Sequence, residues 1–207
     1  MLFPRLLCLD NNTNPRLKFY MPFDPDRKEY LTSDEDRLKD ILEQSLEKDF
    51  ILKREKVGYH LLEQRKVRID FLLYPKQHLI ENGFEPIWFG CEVKSPAVKK
   101  EPQKNVMDLA KQCIDYTESK IDGIIPSFAL MFPSMYHFFH AKNLLTQEYQ
   151  SFLYYFRSFI QRLKVGTLHI FSPGDWAIRF GSQYYYTTKK GKGRVKNLGT
   201  KRHIGSV

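Results

Sequence analysis

The chain has 207 residues, 42% hydrophobic and 28% charged, with a formal net charge of +9. That length suffices for one domain with a full core, and the basic surplus favours an anionic partner, either nucleic acid or an anionic membrane surface. Three cysteines, Cys8, Cys91 and Cys113, odd in number and far apart, exclude a disulfide framework and a zinc knuckle and point to a reducing, intracellular (cytoplasmic) setting.

Met1 to Asp10 is an apolar run too short to span a membrane, with no basic leading segment and no clear cleavage site, so it reads as an edge strand or packing arm. Residues 10 to 30 hold Asn11, Asn12, Asn14, Pro15, Pro22 and Pro25, turn chemistry that predicts a wrapping segment in which Asp24 and Asp26 are simply solvated. From Ser33 the pattern turns helical as far as about Lys48. Ser33 is the expected N-cap with Asp36 three residues on, and the acidic run Asp34, Glu35, Asp36 complements the helix dipole. Leu38, Ile41, Leu42, Ser45 and Leu46 form the buried stripe.

Phe50 to Val57 and Tyr59 to Leu62 read as an antiparallel arm interrupted at Gly58, with Lys53, Arg54, Lys56, Arg65 and Lys66 as surface residues able to touch phosphates. The arm leads into a strand from Arg65 to Tyr74. Its two-residue period predicts Val67, Ile69, Phe71 and Leu73 on one face and Asp70 on the other beside Leu72. Pro75 closes the strand, and a loop from Lys76 to Glu85, turning at Asn82-Gly83, leads to a second apolar strand from Ile87 to Lys94. There Trp88, Gly90, Glu92 and Lys94 share a face.

Charged side chains in such runs cost several kcal/mol unless they are paired or bound to a metal. Two strands joined by a loop of about ten residues can set Asp70 beside Glu92, with Lys94 two positions further along. Carboxylate oxygens suit Mg²⁺ or Mn²⁺, whose remaining positions go to water and substrate phosphate. The chemistry expected of this pair is phosphodiester hydrolysis.

Beyond Lys94, Ser95 to Pro102 is a basic crossover carrying Lys99 and Lys100 at the end of the sheet where substrate would enter. A helix from about Gln103 to Ser119 buries Val106, Leu109, Ala110, Cys113 and Ile114, and sets Gln112 and Tyr116, four apart, on one face. Ile124 to Met131 reads as a third core strand, closing a β-β-α-β unit. Tyr136 to Leu163 reads as one or two helices, whose His137 and His140 lack the further histidine or cysteine that a zinc site needs. Thr167 to Phe171 and Trp176 to Thr187 are two strands about a turn at Ser172 to Asp175. A tail from residue 189 carries Lys189, Lys190, Lys192, Arg194, Lys196, Lys201 and Arg202 with no acid among them, a composition that stays unfolded and can follow a phosphate backbone.

Asp70, Glu92-Val93-Lys94 and, downstream, Gln112-Cys113-Ile114-Asp115-Tyr116 together resemble the PD-(D/E)XK nuclease superfamily in its RecB-like branch, with motifs of the phage lambda exonuclease type. Ile69 stands where the proline of the name is expected, and the matches cover about 33 to 116. The resemblance implies an α/β fold with a restriction-endonuclease-like core, a mixed central sheet flanked by helices. It implies a Mg²⁺- or Mn²⁺-dependent deoxyribonuclease acting on single-stranded DNA or DNA ends in replication, repair or recombination. Asp70, Glu92 and a main-chain oxygen near Val93 would hold the ion, and Lys94 would position the attacking water.

The superfamily also places a glutamate on its first helix. Glu35 lies about 50° from the centre of the buried stripe, whereas Glu43 and Glu47 face away, so Glu35 is the expected candidate. Gln112 and Tyr116 are expected near substrate together with Lys99, Lys100, Lys189, Lys190 and Arg194. The expected organisation is one nuclease domain over 1–188, with its core at about 33–131 and a helical and hairpin extension at 136–188, followed by the basic tail 189–207. A four-cysteine iron–sulfur cluster, present in some RecB-like nucleases, is ruled out by the cysteine count. The resemblance allows a homo-oligomer and leaves open DNA against RNA. Two other readings stand beside it: a non-catalytic nucleic-acid-binding module on the same scaffold, and a basic membrane-surface protein, which would need an amphipathic helix with a lysine-rich face.

Overall fold

The computed structural model describes residues 28–97, 101–142, 146–181 and 183–188. Two short helical stretches come first, α1 (Lys28–Thr32) and α2 (Glu35–Leu46). Then β1 (Phe50–His60) and β2 (Lys66–Pro75) form a long hairpin, and α3 (Gln77–Glu81) leads to β3 (Phe89–Val93). The crossover helix α4 (Pro102–Thr117) precedes β4 (Ser119–Ile121) and β5 (Ala129–Phe132). After α5 (Met135–His140) and α6 (Gln147–Ile160) come β6 (Val165–Ser172), β7 (Asp175–Phe180) and β8 (Gln183–Thr187).

The fold is α/β. One mixed eight-stranded sheet runs in the order β4-β1-β2-β3-β5-β6-β7-β8. β1, β2 and β3 are antiparallel neighbours, β3, β5 and β6 are parallel, and β7 and β8 continue as an antiparallel meander. Parallel neighbours need crossovers, and helices supply both: α4 between β3 and β5, and α5 with α6 between β5 and β6. The strands expected as an appended hairpin thus extend the same sheet as the core.

The central strands of the sheet are buried on both faces. On one side Tyr30, Leu38, Ile41, Leu42 and Leu46 of α1 and α2, with Leu79 of α3, pack on Phe50, Phe71, Leu73, Phe89 and Val93. On the other, Val106, Leu109, Ala110, Cys113 and Tyr116 of α4, with residues of α5 and α6, pack on Val67, Ile69, Leu72, Ala129 and Met131. Leu38 and Leu42 are wholly buried, and truncating either to alanine would cost about 2–5 kcal/mol.

Several local expectations are corrected. Helix α2 is capped by Asp34, whose Oδ1 accepts from the Arg37 amide at 2.8 Å, while Ser33 closes α1 by donating its hydroxyl to the Glu29 carbonyl at 2.7 Å. Both residues are good caps, and the extra helix α1 claims the first of them. The expected break at Gly58 is absent: β1 runs straight through it. Any Cβ there would come within 2.2 Å of the Lys120 carbonyl oxygen, so glycine serves the close approach of β4. The loop before Asn82-Gly83 contains helix α3, and the expected strand from Trp176 to Thr187 folds back at Gly181 into β7 and β8.

Alternation in β2 also slips. Val67, Ile69 and Leu72 join the α4 side, whereas Phe71 and Leu73 join the α2 side, so Asp70 and Leu72 do not share a face as expected. The irregularity coincides with Glu55, which lies across from Asp70 in β1, has φ of 51°, and is skipped in the pairing between Arg54↔Phe71 and Lys56↔Ile69.

Candidate functional site

Asp70 and Glu92 meet where β2 and β3 part. The pairing Phe71↔Cys91, carried one residue further, sets the two acids opposite each other, and both are buried, at 6% and 7% exposure. Asp70 is held on both oxygens. Its Oδ2 accepts from the backbone N–H of Val93 at 2.9 Å, replacing a ladder bond between the separating strands. Its Oδ1 lies 2.8 Å from the ammonium of Lys39, which reaches down from α2 and also meets Glu55 at 2.9 Å.

Glu92 faces the other helix layer. Its Oε2 is 2.7 Å from the hydroxyl of Tyr116 on α4, and the same hydroxyl lies 2.8 Å from the Arg68 carbonyl. A phenol has one proton for these two oxygens. The hydroxyl therefore donates its one proton to either acceptor, the Glu92 carboxyl or the Arg68 carbonyl, and is shared between them. Burial, followed by the charge of Asp70, pushes the Glu92 carboxyl up to about 8, against the opposing pull of the hydrogen bond from Tyr116. Burial also drives the Tyr116 hydroxyl well above its ordinary range, so it remains a neutral phenol.

Lys94 stands at the rim, partly exposed, with its ammonium 2.8 Å from Glu35 Oε1. Their approach is fixed from both segments: Ser95, next after Lys94, donates its hydroxyl to the Ser33 carbonyl at 2.7 Å, two residues before Glu35. Glu35 and Lys39 are one turn apart on α2, so one helix face presents an acid to Lys94 and a base to Asp70. Burial opposes the charge on Lys39, but its bonds to Asp70 and Glu55 outweigh that and raise its pKa overall.

The structure therefore brings together Asp70, Glu92, Val93, Lys94, Glu35 and Tyr116. Tyr116 is buried and acts on Glu92, so its place is to orient the carboxyl. Gln112, half-buried one turn earlier, takes no part in these bonds. Lys99, Lys100, Lys189, Lys190 and Arg194 lie outside the described residues.

Lys39 was missed. Its one signal was position, since it follows Glu35 by a turn and borders the stripe through Leu42 and Leu46; a lysine there is ordinarily on the solvated flank. Cys91 and Cys113 are buried beside the carboxyls, and burial holds both thiols well above their usual range.

Among the described residues no cluster of three or more histidine, cysteine or carboxylate side chains is arranged to hold a metal ion. The donor set suits a hard divalent cation in its sparest form, two carboxylates with the remaining positions left to water and substrate oxygen. Lys39 balances Asp70, whereas the atom against Glu92 belongs to a neutral phenol. A cation there would favour the ionised form of Glu92 in place of its proton. No helix among the described residues is long and apolar enough to cross a membrane. The chain matches no protein-family model, and no curated protein or solved structure gives a significant match.

Proposed function

We propose that the chain is a divalent-cation-dependent nuclease that hydrolyses phosphodiester bonds of DNA, built on a restriction-endonuclease-like core. The observation that carries this reading is the buried Asp70–Glu92 pair at the mouth of adjacent strands, with Lys94 beside it at the rim. The order of elements supports it: an antiparallel β1-β2-β3 meander, then crossover helix α4 and parallel β5, with the acids on β2 and β3. In this reading Asp70 and Glu92 would hold Mg²⁺ or Mn²⁺ with the main-chain oxygen of Val93. The ion supplies a water of lowered pKa and neutralises charge on the phosphate. Tyr116 orients Glu92, the Val93 amide fixes Asp70, and Glu35 holds Lys94 where its ammonium can stabilise the anionic transition state.

One observation favours the non-catalytic module instead: Lys39 already occupies Asp70 Oδ1 and compensates its charge without a metal. A single assay separates the two. Linear and closed circular DNA, single- and double-stranded, are incubated with Mg²⁺, Mn²⁺ or EDTA. Metal-dependent cutting that Asp70→Asn abolishes is the expected result, and cutting that persists in purified Asp70→Asn refutes the assignment.

A further inference from the structure

At one edge of the sheet, β4, the end of β1 and the start of β2 pack on α4 with one face, and their side chains on the other face are exposed. The register puts Lys120, Tyr59 and Lys66 in one row on the bare face, since Tyr59 pairs with both lysines. The next row toward the site holds Val57 opposite Arg68, and the row after that holds Glu55 and Asp70. All five side chains of the outer rows are exposed, Tyr59 to 57% and Val57 to 42%. An exposed aromatic on an open sheet between two lysines is an unusual use of a large apolar group, because the neighbouring residues of the opposite face, Gly58, His60 and Val67, are buried in the ordinary way.

Among the described residues the charge on this tray has no ion-pair partner of its own. Its nearby acids are engaged elsewhere: Glu55 with Lys39, Asp122 with Lys53, Glu118 with His60, and Glu63 with Arg65. Among the described residues no carboxylate pairs with Lys66, Arg68 or Lys120. From the outer row to Asp70 is four residues of strand, about 13 Å, without an intervening helix. The tray is thus continuous with Asp70 on the face from which Lys39 approaches.

We propose that this surface binds unpaired nucleic acid, with a base stacked on Tyr59 and phosphates on Lys66, Lys120 and Arg68, and that it delivers a single strand toward Asp70. The proposal rests on the nuclease reading for its direction but not for its test. Bases offer π-faces to an exposed ring only when they are unpaired, so the tray selects single strands over duplex. A membrane surface would use the same charges but gains little from one phenol, and an interface with a second copy would set lysine against lysine.

The test is binding in EDTA, where cutting plays no part. Labelled single-stranded and duplex oligonucleotides are titrated with the full chain by fluorescence anisotropy, with the far-UV spectrum checking that each variant is folded. Tyr59→Ala should weaken single-strand binding by about tenfold and Tyr59→Phe should not, while duplex affinity stays unchanged. Lys66→Ala and Lys120→Ala should each reduce the salt slope by about 0.7. A fluorescent base analogue should lose its quenching in Tyr59→Ala. Equal weakening for single strand and duplex, or no effect of Tyr59→Ala, overturns the tray, as does Tyr59-dependent dimerisation or vesicle binding. A chain that binds single strands through Tyr59 and cuts nothing with Mg²⁺ or Mn²⁺ keeps the tray and sinks the nuclease reading; one that cuts while Tyr59 is indifferent does the reverse.

Discussion

The ammonium of Lys39 lies 2.8 Å from Asp70 Oδ1, and both side chains are nearly excluded from water. Removing one member of such a pair leaves the other charge buried. Lys39→Met should lower stability by about 3 kcal/mol in EDTA. If the site takes a divalent cation, Mg²⁺ or Mn²⁺ should restore part of that loss in the variant and shift the wild type less. Urea denaturation with and without metal reads both effects, and a variant as stable as wild type in EDTA would show the pair to be inconsequential.

Tyr116→Phe removes the only proton shared between the Arg68 carbonyl and Glu92. Loss of a buried hydrogen bond with its partners left in place costs about 1–2 kcal/mol. The midpoint in urea should fall by that free energy divided by an unchanged m-value. If the chain is a nuclease, the turnover rate should fall more than the apparent affinity for DNA, because the phenol orients an acid and does not touch substrate.

Stability should depend on pH through Glu92. The folded carboxyl holds its proton up to about 8, against an ordinary value of 4.5 in the open chain. Between these values the folded state binds more protons than the unfolded one, so stability falls as pH rises across that window and the loss is complete above it. In Glu92→Gln this component is absent. The difference in melting temperature between wild type and Glu92→Gln, followed from pH 5 to 9 in EDTA, should move in favour of the variant as pH increases.

His169 works in the opposite sense. Burial, then the charges of Arg179 on β7, His137 on α5 and Arg157 on α6, hold its pKa well below the ordinary 6.5. The unfolded chain takes up a proton that the folded one refuses, so this contribution is lost as pH falls through the unfolded value. His169→Gln should flatten the acid limb of the stability profile.

Lys94→Met should leave the fold intact, since the ammonium is partly exposed and its partner Glu35 is more so. In a nuclease it should reduce the cleavage rate by about 10²–10³-fold, read in single-turnover experiments. Unaltered cleavage would take Lys94 out of the chemistry.

The acid pair was legible because Asp70 and Glu92 interrupt two otherwise apolar runs, and a charge in such a place needs a partner. Lys39, the partner, was not: nothing in a helical repeat separates a lysine that dives into the core from one that lies on the solvated flank. The slip at Asp70 was hidden for a related reason, since a period of two assumes even pleating and the left-handed backbone at Glu55 has no mark in the sequence. Helix α3 was masked by the turn signal of Asn82-Gly83 just after it. The C-terminal strands were recognised as strands, but pattern alone does not say whether they pair with each other or prolong the central sheet.

The indole of Trp176 donates to Asp49 Oδ2 at 2.6 Å and its ring lies 5.0 Å from that of Phe50, joining β7 to the start of β1 across more than half of the chain. Closing so long a loop comes before any reward from the contacts it makes. During synthesis, the first hairpin leaves the ribosome before the Trp176 side of Phe50 can be covered, with only Phe84 and Phe89 arriving early against it. The nascent chain should therefore stay protease-sensitive until Trp176 has cleared the exit tunnel, and acquire resistance in one late step.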